Sequence, residues 1–318
     1  MDAIRVGVFP PDQAWADPRR LEAFLRAVAD AGLDHVCCGD HVSFFVGAGT
    51  DGLLHAAMVA ALHPELPVHT GVYLLPLRHP VLVARQVADL EQVAPGRLVF
   101  GVGLGGEDRR EVEMCGVDPA TRGQRMDECV TVVRELLSGR PTTFHGRFFD
   151  LDAALIAPPP RAPVPIVVGG RSDAAVRRAG RLGDGWLGIW ASPRRFAEAV
   201  DLARAEAAQA GRARPPVRHA MQVWCGFDRS REAARAALAA PMEALYQVPF
   251  ERFERYSPYG TADDVAAFLS EYVDAGCGTF NLIPQSQDDD ALVAAAAAVK
   301  ELLAARSLPH APTGALSA

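Results

Sequence analysis

The stretch RLVFGVGLGG, residues 97–106, is an apolar run that passes directly into a glycine-rich segment. Its branched and aromatic side chains predict a buried strand over residues 97–104. The glycines at 101, 103 and 106 also spell G-x-G-x-x-G. In a dinucleotide-binding fold this motif follows the first strand, and an acidic residue ends the next one. Here three predicted strands come first, and residues 126–128 have a helical pattern, so the sequence argues against a Rossmann site.

Seven further apolar runs occur along the chain, three before this strand and four after it. They begin near residues 4, 35, 67, 165, 185, 219 and 279, and helical patterns separate them. The basic step is about 30 residues, the length of one strand–helix unit. Eight strands that are apolar on both faces, each followed by a helix, predict an α/β fold whose parallel sheet closes into a (β/α)8 TIM barrel. An open doubly wound sheet is the competing fold.

Two gaps between the runs are longer than one unit, and they predict insertions after strands 4 and 7. The first, about residues 140–163, has alternating Thr and Phe residues and a proline-rich linker; the second, about residues 228–260, is rich in aromatic residues. The aromatic residues at 246–259 predict either part of a substrate pocket or the insertion's own small core. We expect one domain over residues 1–305 and a flexible tail over residues 306–318.

Composition narrows the class of function. The 318 residues include 32 basic and 39 acidic side chains, for a formal charge of −7. Such a surface offers no broad footprint for nucleic acid or an anionic membrane, so we expect a small-molecule substrate. No signal-peptide pattern and no apolar run of about 20 residues is present, which predicts a cytoplasmic protein. The six cysteines have no familiar metal-binding spacing, so we expect them to be reduced and expect no metal site.

Because barrel enzymes place their active sites at the carboxyl ends of the strands, a few positions become candidates. His41, after the second strand, is the candidate for moving a proton, with Asp40 beside it as a ligand or a tuning charge. Glu107, after the fourth strand, is a weaker candidate. Close approach of a ligand to the backbone is expected at the nearby glycines, which are Gly103, Gly105 and Gly106.

A second loop predicts a phosphate site. Gly169-Gly170-Arg171-Ser172 follows the fifth strand and leads into a helix N-terminus. Free backbone amides, the positive end of the helix dipole, a hydroxyl and a guanidinium would meet there, and this combination suits a phosphate group. The alternative is that Ser172 only caps the helix. Further along, Arg122, Arg125 and Arg134 predict a solvated helix face with charge pairs.

An ordered series of short motifs runs along nearly the whole chain. It comprises Gly39-Asp40-His41, Thr70-Gly71-Val72, Arg78-His79-Pro80, Pro95-Gly96-Arg97, Gly101-Val102-Gly103, Arg122-Gly123, Gly169-Gly170 and Asp184-Gly185. As a series, these motifs resemble the luciferase-like family of flavin and deazaflavin oxidoreductases. The resemblance implies a (β/α)8 barrel with a flavin-type ring at its mouth, and a homodimer.

The resemblance also assigns roles to residues. In the deazaflavin-dependent branch, an Asp-His pair that maps onto Asp40 and His41 lies against the ring. A bulge with a non-proline cis peptide, at Gly71-Val72 after Thr70, would lie behind the ring, and the cofactor phosphate would meet Gly169 and Gly170. Some members use an acidic residue after the fourth-strand glycines as an acid. Here an extra glycine shifts Glu107 from that position.

These observations lead to one leading hypothesis and three alternatives. The first is an oxidoreductase that uses coenzyme F420 for hydride transfer, with His41 handling the coupled proton. The second is a monooxygenase that uses reduced FMN; a flavin or F420 reductase is a possible partner of either enzyme. The third is a cofactor-holding protein without turnover. The fourth is a non-redox barrel enzyme, which the scarcity of lysine argues against, since Lys300 lies in the C-terminal helix.

Overall fold

Eight parallel strands close into a barrel in the computed structural model, which describes residues 3–105, 108–288 and 291–307. The barrel strands are β1 (Arg5–Val8), β2 (His35–Cys38), β3 (Val68–Thr70), β4 (Leu98–Val102), β5 (Ile166–Gly169), β6 (Gly185–Ile189), β7 (Ala220–Phe227) and β8 (Thr279–Gln285). Each strand pairs in parallel with its neighbours in chain order, and β8 pairs with β1. The predicted (β/α)8 TIM barrel is therefore confirmed.

One principal helix follows each strand. These helices are α1 (Pro18–Asp30), α2 (Gly52–Leu62), α3 (Pro80–Val93), α4 (Arg122–Leu136), α5 (Asp173–Leu182), α6 (Pro193–Gln209), α7 (Ala262–Asp274) and α8 (Ala291–Ser307). The local sequence explains why several of these helices begin where they do. Asp17 caps α1 by accepting from the Arg19 amide, and Pro18 occupies the first helical position. Thr261 and Asp264 form a capping box on α7.

Further helices, turns and strands lie in the loops between the barrel strands and the principal helices. They are the helix Asp12–Trp15, the hairpin His41–Phe44 with Ala48–Thr50, the 3-10 turn Leu75–Leu77, the helix Arg109–Met114, the hairpin Thr142–His145 with Asp150–Ala154, the helix Arg231–Tyr246, the 3-10 turns Phe250–Arg252 and Glu254–Tyr256, and the short strand Tyr259–Gly260. The hairpin at 142–154 precedes β5, and the elements at 231–260 lie between β7 and α7, within the two expected insertions.

Two predicted strands end three or more residues earlier than expected. The second was expected to reach His41, but β2 ends at Cys38, and His41 starts a hairpin in which it pairs with Thr50. The third was expected to reach Leu75, but β3 ends at Thr70, and the chain then passes through the Gly71–Val72 peptide, which is cis. Both departures lie at the carboxyl ends of strands, where the chain leaves the sheet to build the site.

The barrel interior has a polar layer among its aliphatic side chains. The His35 and His69 rings stack with centroids 3.7 Å apart, and His35 Nε2 lies 2.8 Å from Asn281 Oδ1. Gly7 makes room for this layer, since a Cβ there would lie 2.1 Å from the His35 ring. Burial lowers the pKa of His35 to about 4, so its imidazole is neutral at pH 7.

No helix in the described part of the chain is both long and apolar enough to cross a bilayer. The cysteines at 37, 38, 115, 129, 225 and 277 are unbridged. Within the same residues, no group of three or more His, Cys, Asp or Glu side chains could hold a metal ion.

Candidate active site

A cavity of about 1160 Å³ opens at the carboxyl ends of the barrel strands. Residues that follow or end every one of the eight strands contribute to its lining. The predicted site residues that line it are Asp40, His41, Gly71, Val72, Gly103, Gly105, Gly169, Gly170, Arg171 and Ser172. A second cavity, of about 1210 Å³, lies at the amino-terminal ends of the strands and lacks these residues. The predicted site residues therefore identify the first cavity as the candidate active site.

Three of the predicted residues are not placed in this cavity. Thr70 is buried, its hydroxyl donates to the Gly101 carbonyl at 2.7 Å, and it lines the amino-terminal cavity. Its side chain therefore joins β3 to β4. Gly106 and Glu107 lie outside the described residues, so the expected roles of this glycine and this acid stay predictions.

His41 is held by a carboxylate that the sequence did not identify. Its Nδ1 lies 3.0 Å and 3.1 Å from the two oxygens of Glu111, which is fully buried on the helix Arg109–Met114. The same carboxylate accepts from the amides of Val42 at 2.7 Å and Ser43 at 3.1 Å. Burial opposes ionisation of Glu111, but these hydrogen bonds, led by that from His41, hold its pKa below the ordinary value. Glu111 is thus an anion that fixes the imidazole.

The other ring nitrogen of His41, Nε2, has a different environment. Since an ionised carboxylate can only accept, Nδ1 donates to Glu111, and in the neutral imidazole Nε2 is an acceptor. Within the described residues, Nε2 has no hydrogen-bond partner, and the side chain is 31% exposed where it lines the cavity. His41 can therefore accept a proton from a bound molecule while Glu111 stabilises the resulting charge.

Asp40 is hydrogen-bonded within the protein, and its expected role at the cofactor stays a prediction. Its buried carboxylate accepts two hydrogen bonds from the Arg78 guanidinium, at 2.6 and 2.8 Å. It also accepts from the amides of Leu74, at 2.7 Å, and Gly52, at 3.0 Å. These bonds join the ends of β2 and β3 to the start of α2. Asp40 lines the cavity, but both of its carboxylate oxygens accept hydrogen bonds within the protein.

Glycines around Val72 serve packing. A Cβ on Gly103 would lie 2.4 Å from Val72 Cγ2, and a Cβ on Gly169 would lie 2.6 Å from Val72 Cγ1. A Cβ on Gly101 would lie 1.9 Å from the Thr70 carbonyl oxygen. The glycines at the carboxyl ends of β4 and β5 therefore let the segment after β3 pack closely against both strands. We expected a ligand to approach the backbone here; for Gly103 and Gly169 the neighbour is the Val72 side chain.

The loop after β5 combines the features expected of a phosphate site. Gly170 has a φ of +139°, a conformation that glycine tolerates, and Ser172 caps α5 by accepting from the Ala175 amide. Ser172 is therefore the N-cap of α5, and its expected role at a phosphate stays a prediction. The guanidinium of Arg171 lies 5.1 Å above the Trp190 ring. The loop thus presents a helix N-terminus and a stacked cation to the cavity.

In the part of the chain that the structure describes, three polar atoms of the lining are buried without a hydrogen-bond partner. They are Nε of Arg122, Nε1 of Trp190 and Oε1 of Gln222. Unpaired buried polar atoms are rare and costly, so a cluster around one cavity indicates a polar ligand. Trp190 also has a φ of +49°, which is uncommon outside glycine and concentrates at functional sites.

Two arginines expected on a solvated helix face lie elsewhere. Arg122 starts α4 and lines the cavity, with one terminal nitrogen donating to the Pro119 carbonyl at 2.9 Å. Arg125 donates to the Pro76 carbonyl at 2.8 Å and lies 4.5 Å above the Phe149 ring. The charge pattern was misleading because the carboxyl end of the barrel covers this end of α4. Arg134 does pair at the surface, with Asp184 at 2.9 Å.

The aromatic residues of the second insertion divide between the two expected roles. Tyr246 lines the cavity, with Leu245 beside it. Phe250 is buried and packs with Phe253 and Tyr259 in a small cluster that also includes Leu238 and Met242. The insertion thus has its own core, and that core presents Tyr246 to the cavity.

Curated relatives share sequence with this chain. An uncharacterized protein of Mycobacterium bovis is 41% identical over 131 residues, which cover 41% of this chain and 45% of that protein. An F420-dependent glucose-6-phosphate dehydrogenase of Nakamurella multipartita is 31% identical over 225 residues, 68% of this chain and 66% of the relative. The match thus spans less than half of the mycobacterial relative and about two thirds of the Nakamurella enzyme.

Solved structures share the fold. An F420-dependent secondary alcohol dehydrogenase in complex with an F420-acetone adduct superposes with a TM-score of 0.80 at 21% identity, covering 95% of this chain and 99% of that one. The EDTA monooxygenase of Chelativorans sp. BNC1 superposes with a TM-score of 0.78 at 18% identity, covering 96% and 94%. The profile of luciferase-like monooxygenases matches residues 3–279. The chain therefore belongs to the luciferase-like monooxygenase family.

Proposed function

We propose that this protein is an F420-dependent oxidoreductase that transfers a hydride between the deazaflavin and a small organic alcohol or carbonyl compound. The observation that carries the proposal is the His41–Glu111 pair, which places at the cavity an imidazole whose Nε2 has no partner among the described residues. The F420-dependent relatives support the choice of cofactor. When bound, F420 supplies the hydride acceptor or donor.

His41 performs the proton half of this reaction. Oxidation of a secondary alcohol breaks a C–H bond, whose electron pair leaves with the hydrogen as hydride, and an O–H bond, whose proton must be taken up. Nε2 of His41 accepts that proton, and the Glu111 carboxylate stabilises the imidazolium through Nδ1. In the reverse direction, the imidazolium returns the proton to the carbonyl oxygen, so the same pair serves both directions.

The residues present fit such a cofactor. The loop Gly169–Ser172 and the N-terminus of α5 would hold its phosphate, with Arg171 adding a positive charge. Asp173, the acidic residue in the first turn of α5, is paired with Arg195 at 2.6 Å, which offsets its repulsion of an anion. Nε of Arg122 and Oε1 of Gln222, which have no partner among the described residues, would supply a donor and an acceptor for polar edges of the cofactor.

Assembly and location are proposed on the family resemblance and the composition. We propose a homodimer in the cytoplasm, and regeneration of the cofactor by a separate F420 reductase. Size-exclusion chromatography with light scattering measures the oligomeric state, and a monomer at micromolar concentration would contradict the proposed homodimer.

Turnover under anaerobic conditions tests the proposed activity. Wild-type protein, oxidised F420 and a panel of secondary alcohols should produce reduced F420 and the ketone in equal amounts. His41→Ala should lower kcat by roughly 100-fold or more, with a modest loss of cofactor affinity. Oxygen consumption with reduced FMN, with no F420 reduction by any alcohol, would instead favour an FMN-dependent monooxygenase.

A further inference from the structure

We propose that a small organic anion binds at the amino-terminal end of the barrel, in a site separate from the candidate active site. Its carboxylate or phosphate group would lie between Arg5 and Arg218, and its apolar body would lie inside the barrel. The cavity at this end has a volume of about 1210 Å³. Binding there needs neither F420 nor hydride transfer, so the site is independent of the proposed function.

Three neighbouring strands place the two arginines at the same end of the barrel. Arg5 begins β1, and Arg218 lies just before Ala220, the first residue of β7. β8 lies between these two strands and pairs in parallel with both. Since neighbouring strands are about 4.8 Å apart, the two arginine positions are separated by roughly 10 Å across β8. Two side chains with the long stem of arginine can converge on one group over that distance.

Both arginines face the interior of the barrel. Side chains alternate between the two faces of a strand, so Arg5 shares the face of Gly7, where a Cβ would meet the interior ring of His35. In the same way, Arg218 shares the face of Ala220, which also lines the cavity. Both arginines line the cavity and are exposed to solvent. A ligand that enters from this end of the barrel can therefore reach both.

Positive charge exceeds negative charge in the lining of this cavity, although the whole chain has a formal charge of −7. Among the described lining residues, the cations are Arg5, Arg218, Lys300 and Arg306, and the acid is Asp274. Lys300 is neutralised, since it pairs with Asp34 at 2.8 Å. The guanidiniums of Arg5 and Arg218 have no hydrogen bond or ion pair with any residue that the structure describes. An anion between them would relieve their mutual repulsion and accept charge-assisted hydrogen bonds from both.

Beyond the arginines, the cavity has an apolar wall and a neutral polar group. The wall is a cluster of aliphatic side chains, which are Val99, Val167, Leu187 and Ala220. The polar group is the imidazole of His69. Burial lowers the pKa of His69 well below its ordinary value, and the charges of Arg218 and Arg5 lower it further, so this imidazole is neutral at pH 7. An organic anion would cover the apolar wall, which a bare inorganic ion would leave in contact with water.

Calorimetric titration of the purified protein tests the proposed site. Benzoate and phenyl phosphate should bind, and benzyl alcohol, which has the ring without the charge, should not. Arg5→Gln and Arg218→Gln each remove one cation and should weaken anion binding by roughly tenfold or more. Arg218→Lys keeps the charge and should retain part of the affinity. Arg122→Gln is the matched control, because it removes an arginine of the active-site cavity, and it should leave binding at the amino-terminal end unchanged.

The outcomes distinguish the two cavities and the two head groups. Arginine-dependent binding of only one of the two anions would support the site and identify the head group that it takes. Anion binding that is unchanged in both glutamine variants, with the proteins folded by circular dichroism, would overturn the inference. Binding that is lost only in Arg122→Gln would also overturn it, because the anion would then occupy the active-site cavity. Inorganic phosphate that binds as tightly as phenyl phosphate would contradict the role of the apolar wall, and no binding of either organic anion would contradict the site itself.

Discussion

His41 Nδ1 lies 3.0 Å from Glu111 Oε2, although 70 positions separate the two residues in the chain. The link joins the hairpin after β2 to the short helix after β4, and the amides of Val42 and Ser43 share the same carboxylate. Since Glu111 is fully buried, water does not compete for these bonds. One anion therefore sets both the orientation of the imidazole and the position of its hairpin.

Removing the charge of Glu111 should separate catalysis from binding. Glu111→Gln keeps the size of the side chain but loses the anion that stabilises the imidazolium, so kcat should fall by about 10- to 100-fold. KM and the affinity for F420 should change little, because Glu111 is not among the described residues that line the cavity. Steady-state kinetics with a parallel cofactor titration measure the difference. An unchanged kcat would show that Glu111 has no part in the proton step.

Removing the charge of Asp40 should lower the free energy of unfolding. Asp40→Asn would leave the partly buried Arg78 guanidinium with its longer pair to Asp51, at 3.3 Å, and breaking a buried pair costs up to about 3–5 kcal/mol. Urea unfolding measures the change. Glu198→Gln is the matched control, because it breaks an exposed pair with Arg194 and should have little effect. Equal midpoints for the two variants would contradict the structural role of Asp40.

The packing around Val72 predicts a loss of stability in one variant that a second substitution should partly reverse. Gly103→Ala would place a Cβ 2.4 Å from Val72 Cγ2, and overpacking of this kind costs about 1–3 kcal/mol. Adding Val72→Ala removes the clashing methyl groups and should restore part of the lost stability. Gly278→Ala, where a Cβ meets nothing within 4 Å, serves as the control in the same urea series. A single variant Gly103→Ala as stable as wild type would refute the packing argument.

Stability should fall in mild acid because of His35. Its pKa is about 4 in the folded protein, against an ordinary value of 6.5, so the unfolded chain binds the proton more readily. The contribution of His35 to stability is therefore complete above pH 6.5 and is lost as the pH falls toward 4, with a slope of up to about 1.4 kcal/mol per pH unit. Urea unfolding between pH 7 and about pH 4.5 measures the slope, since the two pKa values bound the window. His35→Gln should reduce it, and an identical slope in that variant would contradict the assignment.

Sequence alone predicted the barrel and part of the site. Strand–helix spacing is a local signal, and barrel topology then puts residues such as His41 and Gly170 at the same end. Glu111 was missed because its partner is distant in sequence; an acidic residue in the short helix after the glycine run was the available signal. Arg122 was misread because its i, i+3 neighbours have the pattern of a surface helix. Trp190 carried no local signal, since its left-handed backbone is visible only in the folded chain.

An anaerobic titration with oxidised F420, in parallel with oxidised and reduced FMN, tests the central claim most directly. We predict that the deazaflavin binds at least roughly tenfold more tightly than either form of FMN, a difference of about 1.4 kcal/mol. His41→Ala should retain most of that affinity while losing turnover. Tighter binding of reduced FMN, or binding of neither cofactor, would contradict the account.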